Sequence, residues 1–121
     1  MGDRGQVQIV DEDVWLYTHS GATYLVAAIY RALARNRDRW ESPGQLASAI
    51  FMEMIEGSMN YPDAFSIQSK TGGHSDIWRL VRINCATQYI SVTDHGETTF
   101  NGSFEMFLRD KDKKWREETG S

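Results

Sequence analysis

The side chains in this 121-residue chain with chemistry to offer begin with three histidines and a single cysteine. His19 closes the segment "VWLYTH", His74 lies in "GGHSD" and His95 in "TDHGE". No H-x-x-x-H, H-E-x-x-H or Cys/His cluster occurs, so no metal site is expected. Ser75, His74 and Asp76 adjoin in sequence, but neighbours on a strand point to opposite faces and form no triad. No G-x-S-x-G elbow positions a nucleophile. The Gly-Gly pair makes "TGGHSD" a turn. Cys85 sits in the apolar run Ile83-Asn84-Cys85, the setting of a buried, inert thiol. Glu53 and Glu56, three apart on a helix-like stretch, read as a solvated face, and Asp11, Glu12 and Asp13 as surface acids. No catalytic residue and no cofactor is expected.

Two arrangements remain. Arg31, Arg35, Arg37 and Arg39 crowd the end of one helix-like segment, where they oppose the negative end of its dipole. Alternatively, they form a basic rim for phosphate. The second arrangement is "THSGATY", where a strand ends at His19 and a helix starts at once. Free N–H groups at a helix start suit an anion; Gly21 allows close backbone approach, and Ser20 or Thr23 adds a hydroxyl. The bland reading, in which Ser20 caps the helix and Gly21 makes the turn, stays open. The string lacks the lysine and length of a P-loop, so NTP hydrolysis is not expected.

The elements that must hold these residues follow from periodicity. Gly5–Val10 alternates as a half-buried strand, "DED" turns the chain, and Val14–His19 is aromatic and β-branched on both faces, an antiparallel partner for the first. From Ala22 to about Asn36 the period becomes 3.6, with Val26, Ile29 and Leu33 on one stripe. Ser42, Pro43 and Gln45 announce a second helix with Leu46, Ile50, Phe51 and Met54 inward and Gly57 at its end. Its short connection makes it an antiparallel neighbour of the first. Phe65–Lys70, Asp76–Asn84 and Gln88–Asp94 read as strands joined by the short turns "TGGH" and "CAT". "ETTFN" adds an edge strand, and Ser103 opens a short helix carrying Phe104, Phe107 and Leu108.

The order ββααβββ(β)α predicts an α+β fold: an antiparallel sheet of five to six strands covered on one face by two antiparallel helices. One domain spans residues 1–110, and residues 111–121 form a charged tail. The other sheet face carries Trp15, Tyr17, Trp78, Leu80 and, depending on register, Tyr89. So large an apolar face predicts a homo-oligomer.

The composition, 40% apolar with 25% charged residues, is that of a folded chain. The net charge of −4 argues against nucleic acid as a partner, because neutralising phosphates takes a surplus of basic groups. No segment reads as a signal peptide or membrane span, so no membrane partner is expected and the location expected is cytoplasmic.

"GDRGQVQIV", "VWLYTHSG" and "RWESPGQLASAIFMEMI" together resemble a group of small prokaryotic and phage proteins, mostly without assigned function. That group is built on an R-G-x-V/I strand, an L-Y-T/S-H-x-x-G loop and an R-W-x-x-P-x-x-L-A helix; the likeness covers residues 2–56. In size, layout and a polar glycine loop beside arginines, the chain also resembles the phage sponge proteins that counter Thoeris or CBASS defence. Those families form symmetric oligomers and sequester cyclic nucleotide or cyclic ADP-ribose signals without cleaving them. The resemblance implies a ligand loop of His19, Ser20, Gly21 and Ala22, with Arg4 or Arg109 as phosphate partners.

The expectation is thus a non-enzymatic, oligomeric binding protein for a small anionic nucleotide, with rings supplied by Trp15, Tyr17 and Tyr24. One alternative is a protein-interaction module docking through its aromatic sheet face. Another is a hydrolase using His19 with a nearby carboxylate.

Overall fold

Strict alternation along the strands divides the sheet into two chemically different faces, and the helices select one of them. The computed structural model describes residues 3–19, 21–56, 65–69 and 77–109. Its strands are β1 (Gly5–Ile9), β2 (Val14–Thr18), β3 (Phe65–Ser69), β4 (Arg79–Asn84), β5 (Tyr89–Asp94) and β6 (Glu97–Ser103). Its helices are α1 (Leu25–Arg35), α2 (Pro43–Glu56) and α3 (Phe104–Arg109).

The fold is α+β with one six-stranded sheet in the order β3-β2-β1-β4-β5-β6. The expected purely antiparallel sheet is corrected in one place. β1 and β4 run parallel, pairing Val7 with Val81 and Ile9 with Ile83, while every other ladder is antiparallel. The expected β3–β4 hairpin is corrected with it. β3 pairs with β2 and β4 with β1, so the first hairpin lies between them. The "TGGH" turn itself lies outside the described residues, as do Gly57, Ser20 and the tail.

β1 is therefore an inner strand, not a half-buried first one, and both its faces are used. Val7 and Ile9 are fully buried toward the helices, and Gln6 is fully buried on the other side. Tyr89–Asp94 and Glu97–Ser103 form a hairpin through His95 and Gly96, with φ values of 52° and 84°. The edge strand expected from "ETTFN" is β6.

One core joins the sheet to all three helices. Val7, Ile9, Leu16, Val81, Ile83 and Ile90 meet Leu25, Ile29, Leu33, Leu46, Ile50, Phe104 and Phe107. At about 1.5–3 kcal/mol for each large side chain removed from water, this face is the main source of stability. Trp40 fastens the corner between α1 and α2. Its indole donates to the Leu33 carbonyl at 2.9 Å, and its ring meets the edge of Phe104 at 5.2 Å. A carbonyl near the α1 C-terminus thereby gains a donor.

Of the two α2 acids that read as solvated, Glu56 is exposed but Glu53 is not. The Glu53 side chain is only 11% exposed and accepts hydrogen bonds from Arg31 Nε at 2.9 Å and Arg35 Nη1 at 3.0 Å. Packing α2 against α1 brings the acidic flank of one onto the basic flank of the other. Arg37 turns instead to Glu105 at 2.7 Å and lies over the Trp40 ring. These arginines tie helices together. Among the described residues no helix is long and apolar enough to cross a membrane.

Candidate functional site

The joint between β2 and α1 is built with residues from distant parts of the chain, Asp3 before β1 and Trp78 and Arg79 at the start of β4. After Thr18 and His19, a 3-10 turn at Ala22–Tyr24 leads into α1, so the helix proper starts later than periodicity suggests. Ala22 is fully buried against β1. A Cβ on Gly5 would lie 2.9 Å from the Ala22 Cβ, so only glycine allows this approach. A Cβ on Gly21 would lie 2.8 Å from Thr18 Oγ1, which makes the same demand two residues into the loop. The Thr18 hydroxyl is buried and has no hydrogen-bond partner among the described residues.

The N–H groups expected to face an anion already hold one. Asp3 Oδ2 accepts from the Thr23 N–H at 2.9 Å, and the Asp3 carbonyl accepts from the Ala22 N–H at 2.9 Å. The Tyr24 N–H donates to the Gly21 carbonyl at 3.1 Å. Asp3 Oδ1 accepts from Trp78 Nε1 at 2.7 Å, so one carboxylate joins the helix start to the entrance of β4. The Trp78 N–H donates to the Arg4 carbonyl, closing the seam.

Arg79 completes this cluster from beneath. Its guanidinium donates twice to Asp94, from Nε at 2.8 Å and Nη2 at 3.0 Å. Nη1 donates to the carbonyls of Ala22 at 3.1 Å and Thr23 at 3.3 Å. The group is 9% exposed and lies over the Trp78 ring, whose indole stacks on His95. A buried charge so placed is paired and saturated, as burial requires.

Of the residues expected at a ligand loop, Gly21, Ala22 and Thr23 come together here. His19 is exposed and meets the Tyr17 hydroxyl at 3.3 Å through Nδ1; no carboxylate contacts it among the described residues. Ser20 lies outside the described residues. Arg4 precedes β1 beside the loop, and its backbone carbonyl joins Trp78. Arg109 stands on α3 with an exposed side chain, 3.9 Å from Glu105 on its own helix. The Arg37 hydrogen bond, helped by the charges of Arg37 and Arg109, holds the Glu105 carboxyl below its usual range. No family model, curated protein or solved structure matches this chain.

Two further acids and the thiol have local tasks. Asp11 accepts from the N–H groups of Cys85 at 2.7 Å and Ala86 at 3.0 Å, pinning the first hairpin to the β4–β5 turn. Burial first, then the charges of Asp11 and Glu12, push the Cys85 thiol up to about 11. It is protonated at neutral pH and poorly nucleophilic. Among the described residues no group of three His, Cys, Asp or Glu gathers as metal ligands do.

The sheet face turned away from the helices carries a second arrangement that sequence reading saw only in part. Register places Trp15, Gln8, Arg82 and Ser91 in one row across β2, β1, β4 and β5. Tyr17, Gln6, Leu80 and Thr93 form the row on one side of it, and Tyr89, opposite Asn84, lies on the other side. Alternation put Trp15, Tyr17, Leu80 and Tyr89 here; Gln8 faces Trp15 across the expected first hairpin, whereas Arg82 was missed because its place in the row depends on the parallel β1–β4 ladder. Arg82 is exposed, while Gln8, Trp15 and Ser91 are half-buried. Gln8, Arg82 and Ser91 make no side-chain hydrogen bond to another described residue.

Proposed function

We propose that this chain is a non-enzymatic binding protein for a small anionic nucleotide, and that the open sheet face is where the ligand lies. The observation that supports this reading is the row Trp15–Gln8–Arg82. An indole offers a stacking surface, an amide carries a donor and an acceptor for a base edge, and a guanidinium pairs with phosphate. Adjacent strands stand about 4.8 Å apart, so the indole and guanidinium backbones are separated by about 10 Å. The amide stands between them. At the helix start, by contrast, Asp3 takes the Thr23 donor that a phosphate would need.

The nucleotide-sponge resemblance agrees with binding without turnover, and we extend the proposal to a homo-oligomer acting in the cytoplasm. The test is a thermal-shift and calorimetric screen against nucleoside monophosphates, with Trp15→Phe and Arg82→Gln as variants. At a hundred times its dissociation constant a ligand stabilises by about 2.7 kcal/mol. Arg82→Gln should reduce the shift for nucleotides and leave the melting of the unliganded protein unchanged. Absence of any nucleotide-dependent shift sinks the reading.

A second reading, protein docking through the same face, is supported by Leu80 and by Tyr89, which is 43% exposed beside the polar row. Analytical ultracentrifugation separates the two. Self-association lost in Tyr89→Ala, with no response to nucleotides, favours docking.

A further inference from the structure

Arg82 stands between two aromatic rings, and their spacing says something about the ligand's shape. Trp15 is two strands to one side, at about 10 Å from backbone to backbone. On the other side Arg82 pairs with Ser91, and Tyr89 lies two residues along the same strand, at about 8 Å. Tyr89 alternates with the fully buried Ile90, so its ring is on the open face. The two rings flank the guanidinium with about 16 Å between their backbones. Bases stacked as in a duplex strand are only about 3.4 Å apart, so one stacked pair does not reach both rings. Bases splayed from a common backbone do, and single-stranded nucleotides are commonly held in that way on aromatic side chains.

Charge restricts the ligand further. Within β2, β1, β4 and β5, Arg82 is the one charged residue in register on this face, and at its rim the Asp13 carboxylate accepts from the Trp15 indole N–H at 3.3 Å. The chain as a whole carries a net charge of −4. One guanidinium matches one phosphodiester; a long polyanion would meet a single cation on an acidic protein.

Building on the nucleotide reading above, we infer that the open face takes an open-chain dinucleotide, one base on Trp15, the other on Tyr89, and the single phosphodiester on Arg82. The two-ring mode predicts a gain over a mononucleotide, because the second base adds a second stacking contact. The first contact already holds the ligand in place.

The experiment is calorimetry on the full chain with diadenosine monophosphate (ApA), AMP, cyclic diadenylate and a ten-residue oligoadenylate. ApA should bind at least tenfold more tightly than AMP. Tyr89→Ala should erase that advantage while leaving AMP binding intact; Arg82→Gln should weaken both. Cyclic diadenylate, with two phosphodiesters and a closed ring, should bind more weakly than ApA. The oligoadenylate should gain no more than about tenfold over ApA, the count of overlapping registers, with little salt dependence. AMP binding with no gain from ApA overturns the two-ring inference and leaves the nucleotide reading standing. Tighter binding of the cyclic ligand, or a steeply salt-dependent oligoadenylate, also overturns it. No binding of AMP or ApA removes both. Tyr89 and Arg82 are exposed positions, so unchanged melting of the unliganded variants confirms that each outcome concerns binding.

Discussion

Replacing Asp3 by alanine removes two acceptors from the α1 start at once, and the structure lets the cost be worked through. The Thr23 N–H loses Oδ2 at 2.9 Å, an interaction equivalent to a helix cap and valued at about 0.5–2 kcal/mol. Trp78 Nε1 loses Oδ1 at 2.7 Å and becomes a half-buried donor without its partner, at about 1–3 kcal/mol. The sum is about 1.5–5 kcal/mol, a large share of the roughly 5–15 kcal/mol that holds a small domain together. At about 4 °C per kcal/mol for a chain of this length, Tm should fall by about 6–20 °C. Urea denaturation measures the free energy directly. Asp3→Asn should lie between parent and alanine, since an amide still accepts from Thr23 but turns an N–H toward the indole N–H. A cycle with Trp78→Phe isolates the second contact, and a coupling of about 1–3 kcal/mol is expected. An Asp3→Ala midpoint within about 0.5 kcal/mol of the parent refutes the idea that this carboxylate closes the helix start.

Gly5→Ala should destabilise by about 1–3 kcal/mol, because its Cβ would meet the Ala22 Cβ at 2.9 Å. Ala22→Gly in that background should recover part of the loss in the same melts. Cys85 should resist alkylation in the folded protein at pH 8, measured as the time course of mass increase, and react promptly in urea. Because burial raises its folded pKa from 9.0 to about 11, the unfolded chain ionises first; stability is complete below pH 9 and declines as pH rises toward 11. The slope is at most about 1.4 kcal/mol per pH unit, and Cys85→Ala should remove it.

Periodicity located the helices and strands because each has a local cause. The stripe Val26, Ile29, Leu33 and the Pro43 start of α2 are readable within one or two turns. Sheet order was less legible. Short connections suggest pairing between successive strands, whereas β3 and β4 attach to opposite edges of the first hairpin. That choice is made by long-range burial: Val81 and Ile83 must continue the row of Val7 and Ile9. The candidate site was legible in proportion. Alternation was enough to put Trp15, Tyr17 and Tyr89 on one face, but Arg82 joins them only through the parallel ladder. Asp3 belongs to no period or motif, and its partners Thr23 and Trp78 are 20 and 75 residues away. Glu53 looked solvated because a helix viewed alone has no second helix to receive it.

The segments around Gly5 and Gly21 meet each other. Gly5 is needed where Ala22 packs, Gly21 where Thr18 lies, and Trp40 where α1 ends. Packing alone accounts for these motif residues. Gln8 and Arg82 on the outward face carry no such duty: they can change without altering any core contact or described side-chain hydrogen bond. Under the proposed function, recognition and folding fall to alternate residues of the same strands. In β1, Val7 and Ile9 build the core while Gln8 faces outward; in β4, Val81 and Ile83 do so while Arg82 faces outward. Chains with the same framework are then free to differ at the outward positions, and the ligand should follow those positions more closely than the motifs. Exchanging Gln8 and Arg82 for the residues of a chain with a different ligand should transfer preference at constant Tm, whereas exchanging Gly5 or Gly21 should change Tm first.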